Sequence, residues 1–111
     1  MATYSSHLPT IFGALSDPTR LAVVSQLLEG PASVSSLAEP HGMARQSFMK
    51  HLKVLEAAGL VGRQTVGRVH LIHANMEPVA SIDAWFGQLR SIWDLRLEKL
   101  ETVLTQRDHH E

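Results

Sequence analysis

Arg45, Lys50, Lys53, Arg63 and Arg68 lie between residues 43 and 73, opposed there by the single acid Glu56, a balance of +4. The other 5 basic and 10 acidic side chains balance at −5, which brings the whole chain to −1. The chemistry open to such a set is recognition of a polyanion on one basic face. No nucleophile is paired with a base, and no glycine-rich phosphate loop is present, so no catalytic role is assigned. Arg45 can grip guanine through two hydrogen bonds and Gln46 can grip adenine, so both are candidates for reading bases. Ser47, Lys50 and Lys53 suit phosphate contacts, which position a protein without reading sequence. His51 borders this group. Arg63, Arg68 and His70 follow on a separate element and suit the DNA backbone or minor groove.

These residues need elements to hold them, and the pattern supplies the elements. Residues 10–15 form a short apolar-periodic stretch that reads as a helix. Asp17 can cap the next helix, and Pro18 fits its first position, where a missing N–H costs nothing. Leu21, Val24, Leu27 and Leu28 are expected on its buried face. Gly30-Pro31 stops it. Ser33 can cap a short helix through Val34, Leu37 and Ala38, which Pro40 and Gly42 break. A longer helix over 44–58 turns Phe48, Leu52 and Leu55 inward and ends at Gly59. Two strand-like arms, 60–65 and 68–73, flank Val66-Gly67, where the glycine supplies the positive φ of a tight hairpin. Val69, Leu71 and, less cleanly, Ile72 are expected on the half-buried face of the second arm.

A helix-turn-helix requires a small residue at the helix crossing, a turn residue that accepts positive φ, and an apolar lock in the second helix. Ala38, Gly42 and Phe48 supply these. The N-terminal half of the second helix is then left projecting, in position for a major groove. The polyanion is therefore read as double-stranded DNA. The expected fold is mainly α with a small β-hairpin wing: a winged helix-turn-helix of five helices, dimeric. One domain spans 1–111, with the helix-turn-helix at 34–58, the wing at 60–73 and a dimerisation helix at 77–106. That last helix carries Ile82, Phe86, Leu89, Trp93, Leu97, Leu100 and Leu104 at three- and four-residue spacings, with Trp85 and Ile92 broadening the stripe. It is too long a stripe for the small domain before it to cover. Phe12, Ile82, Trp85, Phe86, Leu89, Trp93, Leu97 and Leu100 are the expected dimer contacts.

The chain resembles the ArsR/SmtB family of small bacterial winged-helix repressors. The matching residues are Leu15-Ser16-Asp17-Pro18-Thr19-Arg20-Leu21, then Leu37-Ala38, then His51-Leu52-Lys53-Val54-Leu55-Glu56-Ala57-Ala58-Gly59-Leu60-Val61, with Gly67-Arg68 at the wing tip. The resemblance runs from about Leu8 to Leu104. It implies a homodimer, joined through terminal helices, that binds a near-palindromic operator and represses transcription until an effector releases it.

The family's common metal sites are not reproduced. One uses cysteines in the first helix of the reading unit, and this chain has none. The other lies on the dimer helix, and alignment on Asp83 puts Trp85, Arg96 and Lys99 where ligands would stand. An indole and two cations cannot hold zinc. No cofactor and no metal site is therefore expected. His7, His109 and His110 leave a metal-responsive repressor as an alternative, and a protein-interaction module is a second. A small organic effector remains open. The absence of cysteines and of any membrane-length apolar run, and an N-terminus unlike a secretory signal, point to the cytoplasm.

Overall fold

The computed structural model describes residues 7–109, with side chains described through residue 106. Along the described residues the order is α1 (Leu8–Leu15), α2 (Pro18–Leu27), β1 (Ala32–Ser33), α3 (Val34–Ala38), a 3-10 turn (Glu39–His41), α4 (Arg45–Ala57), β2 (Val61–Val66), β3 (Val69–Ala74) and α5 (Met76–His109). The expected five helices and hairpin wing are present. Packing divides the chain into two units, Met1–Ser81 and Ile82–Glu111.

In the first unit, α1 buries Leu8, Ile11 and Ala14, the three-residue spacing of one helical face. Asp17 stands extended before α2, and its side chain accepts from the Arg20 backbone N–H at 3.1 Å. Pro18 takes the first turn, as expected. The buried face of α2 differs from the expected one. Val23 and Leu27 are buried, while Leu21 is 50% and Leu28 64% exposed. The inward stripe is Arg20, Val23 and Leu27, and its first member is a cation. Arg20 is admitted there because its Nε donates to the Ala14 carbonyl at 2.6 Å, which satisfies a charged donor in a partly buried place. A count of apolar residues alone rotates the face away from it.

Ser33 caps α3 by accepting from the Ser36 N–H at 3.1 Å. Gly42 follows the 3-10 turn at φ 60°, the left-handed conformation that lets the chain reverse into α4. Phe48, Leu52 and Leu55 of α4 are fully buried with Leu37, Val23 and Ile72. The end of α4 is closed by Gly59 at φ 74°, with the Leu60 N–H donating back to the Leu55 carbonyl at 3.0 Å. That is a glycine-terminated helix end with its last carbonyls satisfied.

The sheet has three strands in the order β1-β3-β2, both pairs antiparallel. The two-residue β1 is too short to announce itself in sequence. It pairs Ala32 with Ile72 and Ser33 with Leu71. The hairpin closes on the pair Val66 and Val69, so its turn is Gly67-Arg68, one residue later than expected. Gly67 has φ 63° and Arg68 does not have positive φ, the arrangement of a two-residue turn with glycine first. The inward face of β3 is also corrected. Ile72 is buried, Leu71 half-buried and Val69 exposed. Ile72 sits between Ala32 and Arg63 in the central strand, and α2 and α3 pack on that strand.

The second unit is the remainder of α5, a helix of 34 residues that begins within the first unit. Ile82 and Trp85 are half-buried, and the other large apolar residues from Phe86 to Leu104 are exposed. Trp85 and Phe86 meet edge-on, with ring centroids 5.0 Å apart.

Candidate nucleic-acid interface

The fold of the first unit holds the basic residues in two sets that meet at Arg45. The first set is on α4. Phe48, Leu52 and Leu55 fix one face of this helix in the core, and the ring of Phe48 stacks on His41 with centroids 6.0 Å apart. The opposite face is thereby committed to solvent. Arg45, Gln46, Ser47, Lys50 and Lys53 are all exposed on it. Arg45, Gln46, Lys50 and Lys53 line a shallow hollow of about 320 Å³, together with Met49.

The second set is on the wing. Arg68, Val69 and His70 line a cleft of about 300 Å³ whose other walls are Ser33, Val34, Ser35 and Arg45. α4 and the wing are thus joined through Arg45, which lines both concavities. The side chain of His70 is held at 3.4 Å from the Thr65 hydroxyl across the hairpin. One guanidinium is thus shared between helix and strand, and a second stands at the hairpin turn.

Two residues expected to face DNA are otherwise engaged. The Arg63 Nη2 donates to Glu56 Oε1 at 2.7 Å, which partly neutralises the base of the wing. His51 is half-buried and turned onto α2, not outward. Its Nδ1 lies 3.0 Å from Arg20 Nη1 and 3.8 Å from Asp17 Oδ2. A guanidinium can only donate, so Nδ1 is the acceptor in this arrangement. The Arg20 backbone N–H holds the Asp17 carboxyl below its ordinary value. Desolvation opposes that, and the Thr19 backbone N–H and the Arg20 guanidinium add to it.

Sequence reading passed over Met49 and Arg20. Met49 follows Arg45 by four residues and Gln46 by three, which places it on their side of the helix. Arg20 stands in the Asp-Pro-Thr-Arg run of the family resemblance, and its inward turn depends on the Ala14 carbonyl and His51.

Among the described residues no group of three or more His, Asp or Glu gathers in a way that could hold a metal ion. His7 is exposed and lines a separate cavity of about 520 Å³ with Ile11, Gly59, Asn75 and Glu77 among its walls. His110 and the side chain of His109 lie outside the described residues. No helix among the described residues is long and apolar enough to cross a membrane.

Residues 15–63 match a family model described as a helix-turn-helix domain. The chain is 40% identical over 67 residues to the HTH-type transcriptional regulator Rv2034 of Mycobacterium tuberculosis, covering 60% of this chain and 62% of that one. It spans less than two thirds of the length of the curated relatives it matches, from 46% to 62%. Solved structures are matched more fully. A crystal structure described as an ArsR family transcriptional regulator is 42% identical, with a TM-score of 0.75, covering 81% of this chain and 93% of that one. An ArsR-like transcriptional regulator from Rhodococcus sp. RHA1 is 33% identical, again with a TM-score of 0.75, covering 93% of this chain and 96% of that one.

Proposed function

The chain belongs to the ArsR family of winged helix-turn-helix transcriptional regulators, and from that premise we propose that it binds duplex DNA as a homodimer in the cytoplasm and represses transcription from a near-palindromic operator. The observation that carries this reading is the continuity of the exposed α4 face with the wing through Arg45, which lines a concavity on each. Arg45 and Gln46 read base edges in the major groove. Ser47, Lys50 and Lys53 hold phosphates, and Arg68 and His70 engage the neighbouring backbone or minor groove. The role is binding, not catalysis.

The dimer is proposed from α5. Trp93 is 57% and Leu100 56% exposed, on a face shared with Leu89, Leu97 and Leu104. An apolar face of that length is an association surface. A two-fold protein presents two recognition helices to two half-sites about one helical turn apart. Selection of duplexes from a random pool by the purified chain, followed by titration across salt, tests the reading. Enrichment of a two-fold symmetric sequence supports it, and recovery of the input pool unchanged overturns it.

A further inference from the structure

The hollow on the outer face of α4 has an apolar side chain among its polar ones. Met49 lines it with Arg45, Gln46, Lys50 and Lys53. Met49 is half-buried. The core of α4 is complete without it, since Phe48, Leu52 and Leu55 are each fully buried. Its four companions are hydrogen-bond donors that suit base acceptors or phosphates. The stems of the arginine and the lysines are also apolar, and they extend the methionine surface along the walls. On the major-groove edge of a base pair the one apolar feature is the 5-methyl group of a pyrimidine, carried by thymine in unmodified DNA.

We infer that Met49 is a specificity-determining residue that receives a thymine 5-methyl group in this hollow. The inference rests on the DNA-binding reading above and adds a base preference to it. Met49 lies one turn from both Arg45 and Gln46, so the thymine belongs beside, or paired within, the bases those two residues read. The unbranched thioether adapts to the shape of the methyl group, where a cation would find no partner.

The test uses the full chain and the duplex it selects from a random pool. Each thymine in a half-site is replaced singly by uracil, which removes only the methyl group. One position per half-site is expected to weaken binding about fourfold, the equivalent of one methyl-sized group returned to water. Cytosine and 5-methylcytosine are compared at the same position, and the methylated base is expected to bind better, which separates the methyl group from the rest of the ring. Met49→Ala is expected to bind thymine and uracil duplexes equally at that position, with its thermal unfolding unchanged. Met49→Leu is expected to restore the preference. A flat uracil series on a selected operator overturns the inference and leaves DNA binding standing. So does a uracil effect that persists in Met49→Ala. Failure to select any sequence overturns the DNA-binding reading, and this inference with it.

Discussion

Arg20 brings its Nη1 to 3.0 Å from Nδ1 of His51, bridging the first turns of α2 to the middle of the recognition helix. The same guanidinium donates through Nε to the Ala14 carbonyl at the end of α1. One side chain therefore ties three helices, α4 among them. His51→Ala should lower stability by about 1 kcal/mol, the net worth of a typical intramolecular hydrogen bond, read as a shift in the denaturant midpoint. Operator affinity should fall with it. An unchanged midpoint with weakened operator binding would instead return His51 to the DNA surface.

Asp17 connects that bridge to pH. Its folded carboxyl is held below the ordinary value of 3.8, first by the Arg20 N–H. A carboxylate with a depressed folded pKa contributes stability that is present above its unfolded pKa and lost as pH falls through the folded one. Asp17→Ala should therefore be less stable than the parent at pH 7, where it also loses a helix cap. The part of that gap owed to charge should close as pH drops below 3.8. Paired melts at pH 7 and pH 3 read it, and a charge-dependent gap that widened in acid would contradict the assignment.

Arg45→Ala should relax the preference at one position of each half-site, at about 1–3 kcal/mol per contact. Arg68→Ala should weaken all sequences evenly and lower the salt slope by about one. Binding of single-position operator variants separates the two. Since Arg45 also lines the wing cleft, even weakening across all variants would assign it to phosphate beside Arg68.

The parts that could be read from sequence were those with a local cause. The capping side chains Asp17 and Ser33, and the turns at Gly42, Gly59 and Gly67, each answer to a rule a few residues long. So does the inward stripe of Phe48, Leu52 and Leu55, and hence the exposure of Arg45, Gln46, Lys50 and Lys53. What escaped depended on distant partners. Arg20 points inward only because Ala14 and His51 receive it. Ile72 is buried because α2 and α3, distant in sequence, pack on β3. The engagement of Arg63 by Glu56 and of His51 by Arg20 joins separate elements, so periodicity along one element gave no sign of either.

Trp93→Ala and Leu100→Glu test the role of α5. Both residues are exposed in the single chain, so neither change should unfold the first unit. Each should yield monomers in sedimentation and lose operator binding. Either variant remaining dimeric would place the interface elsewhere.

Selection from random duplexes, followed by binding of the enriched sequence across a salt series, tests the central claim most directly. The account predicts an inverted repeat with half-site centres about 10 base pairs apart. It also predicts that log affinity falls linearly with log salt, in proportion to the phosphates engaged. No enriched sequence, or equal binding of enriched and scrambled duplexes at every salt concentration, would contradict it.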